Sequence, residues 1–205
     1  MNKKERARQI IVYAIYIMSI CCLQVSFSSN FKLLGRTCDL MLVFVSLVGY
    51  LFGTFDGVVV GAIVGIFRDY FSGTVITGVN RGSISLLGVG MLAFFYIGFI
   101  ASLLFRKRFH RKYSLGIIQV ALVSVFYYSI CHIVAFVCLS VSGTLVEYHS
   151  LRYIAFSSIC PQTLINIIGS IPMLLLLRFA GPYRKGVRSS LVDGYSVEDR
   201  KWQSI

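Results

Sequence analysis

Of the 205 residues, 57% are hydrophobic and 14% are charged, with a mean hydropathy of +0.78, which leaves too little polar surface to keep a water-soluble domain of this size dispersed. A crossing helix needs about 20 mostly apolar residues at ~1.5 Å each, so the chain holds five or six spans and short connections, with no room for a separate soluble domain. The formal net charge of +12 is set in basic blocks at the ends of apolar runs; that is how orientation signals are placed, and it excludes a nucleic-acid partner.

Residues 1–9 form a basic N-terminus with Lys3, Lys4, Arg6 and Arg8, ahead of an uncharged run from Gln9 to Phe31. The run is longer than the apolar part of a signal peptide, and Tyr13, Tyr16, Met18 and Leu23 carry it through, so span one is expected uncleaved at about 10–29. Asp39 and Asp56 bracket the uncharged stretch Leu40 to Phe55, and Gly57 to Phe67 precedes Arg68 and Asp69. Both stretches are short, which predicts a tight helical hairpin with spans at about 38–54 and 57–72, turning at Thr54-Phe55-Asp56. Glycines and threonines between Gly73 and Gly82 favour a loop or re-entrant turn. Span four is expected at about 83–105, ending at the basic block Arg106 to Lys112. Spans five and six follow at about 114–140 and 153–177, the last with Pro161 and Pro172, and then a basic tail at 178–205.

The expected fold is an all-α integral membrane protein with a six-helix transmembrane domain at 10–177. Six spans put both termini on one side. The segments assigned there carry fifteen of the 20 Lys and Arg; Lys32, Arg36, Arg68, Arg81 and Arg152 fall outside, which orients both termini to the cytoplasm. The six cysteines form no Cys-x-x-Cys pair and five lie within apolar runs, where a thiol acts as a small hydrophobe. Neither a disulfide-linked partner nor a metal site is expected.

Gly49, Gly53, Gly57, Gly61 and Gly65 recur every four residues, and Asp69 and Gly73 continue the series. Small residues at this spacing let helix backbones approach closely, either between spans of this chain or against the transmembrane helix of a partner. Asp39 opens span two, where a carboxylate caps free backbone N–H groups. Asp69 sits at the other pole of span three, where the helix dipole opposes it, so it calls for a cation; Arg36 and Arg81 are the candidates. Arg68 points about 100° away along the helix and is the poorer partner. Asp39 and Asp69 could also share a proton as an acid/base pair, but the chain lacks the surroundings of signal peptidase II, any Gly-x-Ser-x-Gly and any His-Glu-x-x-His. No catalytic residue and no cofactor is expected. His132, beside Tyr127 and Tyr128, reads as a neutral packing residue. Gln162, Asn166 and Ser170 share one face of span six, as interhelical hydrogen-bond partners or as the lining of a solute pocket.

The segment from Cys38 to Gly90 resembles the rod shape-determining protein MreD family. The residues that carry the likeness are Cys38-Asp39-Leu40-Met41-Leu42, the run Gly61-x-x-x-Gly65-x-x-x-Asp69-x-x-x-Gly73, and Gly78. Cys38 stands where that family usually has proline, and the second half of the chain carries no matching motif. The resemblance implies a non-enzymatic scaffold of the bacterial elongation machinery. Such a scaffold binds the single-span protein MreC and couples the MreB filament to peptidoglycan synthesis. It also implies a fold similar to the substrate-binding subunits of energy-coupling-factor vitamin transporters, which makes a solute-binding membrane component the alternative.

Overall fold

The computed structural model describes residues 3–30, 36–71, 75–77, 83–85, 88–104, 113–141 and 155–182. The uncharged stretch after Asp39 folds into helix α2, Leu40–Phe52, in which every residue from Met41 to Phe52 is buried. A helix apolar on all sides belongs at the centre of a bundle. Here α2 packs against α1 (Lys3–Asn30), α3 (Thr54–Phe71), α4 (Val89–Leu104), α5 (Tyr113–Val141) and α6 (Cys160–Phe179). A π-helical turn, Ala155–Ile159, leads into α6, and Pro172 lies within that helix.

The hairpin between α2 and α3 turns on Gly53 alone, at φ 97°, a conformation that glycine adopts without a steric penalty. The turn therefore falls just before the expected Thr54-Phe55-Asp56. This moves Asp56 out of the connection and into the first turn of α3, where it is buried and accepts from the Tyr13 hydroxyl at 2.9 Å. The positive pole of α3 stabilises a carboxylate at that position.

The fourth helix starts later than expected. Residues 83–85 form strand β2 (Ser83–Ser85), paired antiparallel with β1 (Val75–Thr77), and Gly88 at φ 92° then admits the chain to α4. The loop expected at 73–82 thus contains one arm of a short hairpin. The remaining helices overlap the stretches expected as spans, with α1 beginning at Lys3 and α6 running on to Phe179; the basic loop at 106–112 and the tail from 183 lie outside the described residues.

Among the described residues, three helices are long and apolar enough to cross a membrane, over Arg6–Ser26, Ser114–Val134 and Phe156–Phe179. Helices α2 and α4 are apolar but shorter, and α3 carries Asp56, Arg68 and Asp69. The six helices alternate in direction. At one end, Gln9 and Tyr13 of α1 meet Asp56 of α3, Thr54 meets Ser102 near the end of α4, and Tyr16 donates to Leu176 O and Ala180 O at the end of α6. At the other end, Leu40 N–H donates to Gln24 Oε1, and Asp39 meets Arg68 of α3, Tyr128 of α5 and Asn166 of α6. The outward faces stay apolar, with Ile11, Ile15, Leu122, Phe126, Ile168 and Leu175 exposed. An apolar surface of this extent suits lipid and not water.

Candidate functional site

The N-terminus of α2 leaves backbone N–H groups without helical acceptors, and in this chain its own cap residue and two other helices supply oxygens for them. Leu42 N–H donates to Asp39 Oδ1 at 3.1 Å, Leu40 N–H to Gln24 Oε1 of α1 at 2.7 Å, and Asp39 N–H to Asn166 Oδ1 of α6 at 2.9 Å. Asn166 also donates to Ser124 of α5 at 3.1 Å, and Gln162 donates to Thr37 O at 2.7 Å. Ser170 turns back on its own helix and donates to Ile167 O. The polar face of α6 is therefore buried and bonded within the chain.

Asp39 does more than cap. The Arg68 guanidinium donates to both of its oxygens, at 2.8 and 2.7 Å, and the Tyr128 hydroxyl adds a third side-chain bond at 3.1 Å. Arg68 lies over the rings of Phe94 and Tyr127, at 5.1 and 5.4 Å from their centroids. Those π faces stabilise the cation in an apolar setting. Sequence reasoning weighs Arg68 only as the poorer partner for Asp69 and reads Asp39 as a cap; this ion pair joins the two across the hairpin. Its physical origin lies in the hairpin: folding at Gly53 sets Asp39 and Arg68 level, since they stand nearly equally far before and after the turn.

Asp69 is buried, and backbone groups of the described residues donate to it. Gly88 N–H and Met91 N–H donate to one carboxylate oxygen and Gly90 N–H to the other, each at 3.0 Å. The unfavourable pole of its own helix is thus offset by the favourable pole of α4. Of the two cations expected to hold it, Arg36 instead donates to Ser157 O at 3.1 Å, and Arg81 lies outside the described residues. Asp39 and Asp69 consequently engage separate sets of donors.

The glycine stripe lies against α4 of the same chain. A methyl group added to Gly57 would stand 2.8 Å from Gly98 O, and one on Gly65 2.5 Å from Met91 Cα. Gly61 abuts the Phe94 carbonyl and Gly98 the Gly57 carbonyl, while Gly90 leaves room for the Asp69 carboxylate. Gly73 and Gly78 lie outside the described residues. His132 packs with Ser158, Nε2 to Oγ at 3.1 Å.

Sequence reasoning missed Arg68, Tyr128, Ser124 and Gln24 as members of the α2 cluster, and Gly90 and Gly98 as the mating surface of the stripe. The spacing Gly90, Phe94, Gly98 was the available signal for the last two, because it places two glycines on one side of α4.

Fold and site together define a helical bundle of membrane-protein character in which the polar groups around Asp39 bind one another. No protein-family model, curated protein or solved structure matches the chain.

Proposed function

We propose that this chain is a non-enzymatic scaffold of the bacterial cell-elongation complex, similar to MreD, with six crossings of the cell membrane and both termini in the cytoplasm. It binds an MreC-like single-span protein and helps maintain cell shape by linking MreC and the cytoskeletal filament to peptidoglycan synthesis. The observation that carries this reading is the motif of Asp39 with Gly61-x-x-x-Gly65-x-x-x-Asp69. Support comes from its use: Gly61, Gly65 and Asp69 all seat α3 on α4, and Asp39 ties α2 to α3, α5 and α6. These are positions where a substitution disturbs the bundle itself. Since the stripe is covered by α4, the partner helix sits on another face.

The alternative of a solute-binding component of a vitamin transporter drew on Gln162, Asn166 and Ser170. Their hydrogen bonds to Thr37, Ser124 and Ile167 engage these groups within the chain, which favours the scaffold. Affinity capture of the intact protein from native membranes of a bacterium that makes it separates the two. The expected result is recovery of an MreC-like single-span protein; recovery of a transporter ATPase pair with no elongation protein overturns the proposal.

A further inference from the structure

Two fully buried side-chain oxygens among the described residues have no hydrogen-bond partner, Ser46 Oγ on α2 and Gln119 Oε1 on α5. Leaving such a group unmatched forfeits its hydration without return, so two on neighbouring helices call for a physical explanation.

The register of the helices brings them to one level. Helices α2 and α5 run antiparallel: Asp39 meets Tyr128 at one end, and near the other a methyl group on Gly116 would lie 3.3 Å from the Tyr50 ring. Interpolating between these contacts sets Ser46 opposite residues 120–121, about 2 Å along the axis from Gln119. Direction agrees with level. At about 100° per residue, Ser46 projects between Gly49 and Tyr50. Gly49 faces Ala101 of α4, its added methyl 3.1 Å from Ala101 Cβ, and Tyr50 faces α5, so Ser46 is aimed at the junction of α4 with α5. Gln119 spans that junction, its Nε2 donating to Ala101 O at 2.9 Å, which fixes the amide so that Oε1 is the atom left over.

We infer that a single water molecule sits between Ser46 and Gln119, accepting from the hydroxyl and donating to Oε1, as an internal hydration site where α2, α4 and α5 meet. Two neutral oxygens suit water, which needs two to four polar partners in a buried site. They do not suit a hard divalent cation, which takes six or more oxygens with carboxylates among them.

The sign of a stability change distinguishes a bridged hydroxyl from an orphaned one. If water bridges it, Ser46→Ala lowers the Tm of the purified full-length protein by roughly 2–4 °C. If the hydroxyl is an orphan, removing it raises Tm or leaves it unchanged, which overturns the inference. A structure of the unaltered protein at a resolution that shows ordered water supplies the second measurement. Solvent density within hydrogen-bond reach of both oxygens is expected. A Ser46 hydroxyl resting on the Leu42 carbonyl or directly on Gln119, with no density between, overturns the inference whatever the variant does.

Discussion

Arg68→Met destabilises the isolated protein by about 3–5 kcal/mol, because it strips the cation from a buried carboxylate and leaves the charge uncompensated. Asp39 is buried and the Arg68 side chain is only 20% exposed, so solvent screens the pair weakly. The double variant Asp39→Asn with Arg68→Met loses less than the two single changes added together. Asparagine removes the charge that lost its partner and keeps one oxygen, which accepts from Leu42 N–H, while its NH2 stands in place of the other oxygen and donates to the Tyr128 hydroxyl oxygen. Arg68→Lys falls between, since it preserves the charge but gives up the planar group stacked on Phe94 and Tyr127. Thermal unfolding of the purified variants in one detergent or lipid system reads all three. An Arg68→Met protein as stable as the parent contradicts the pairing.

Gly98→Leu and Gly61→Leu have the other large effect. Added side-chain volume in a well-packed interior costs about 1–3 kcal/mol when neighbours can give way. Here the obstructing atoms are backbone, the Gly57 and Phe94 carbonyls, so relief requires moving a whole helix. A loss above about 3 kcal/mol is expected, seen as low abundance in membranes and a sharply reduced Tm. Ile66→Leu, on the exposed face of the same helix, is the control and changes little. If the stripe instead docks a partner, Gly61→Leu leaves the isolated protein stable and capture of an MreC-like protein falls on its own. Under internal packing, capture falls only in proportion to the folded fraction.

Local chemistry made part of this arrangement readable in advance. The uncharged stretch after Asp39 specified a helix with no side for water, and Gly49 to Gly65 announced a close backbone approach. What the approach meets was not readable in the same way, because Gly90 and Gly98 lie beyond a β-hairpin and only the fold brings them to α3. The argument about Asp69 identified the unfavourable pole of α3 correctly and then looked for a side-chain cation. Backbone N–H groups at the positive pole of the next helix donate to Asp69, and no residue type announces those; Arg81, one of the cations expected there, lies outside the described residues. Arg68 was judged against its sequence neighbour Asp69, whereas its partner stands across the hairpin. Gln162 and Asn166 were legible as an inward polar face, but their acceptors and donors on Thr37, Asp39 and Ser124 depend on tertiary register.

Alternating direction in six helices amounts to six membrane crossings when the short helices α2 and α4 traverse the bilayer inside the bundle. Single cysteines placed by Phe109→Cys and Val146→Cys, each on a background lacking the native cysteines, test this in whole cells with a thiol reagent that does not cross the membrane. The expected result is labelling at position 146 from outside, with position 109 protected until the membrane is opened. Labelling at 109 with protection at 146 contradicts both the orientation and the scaffold built on it.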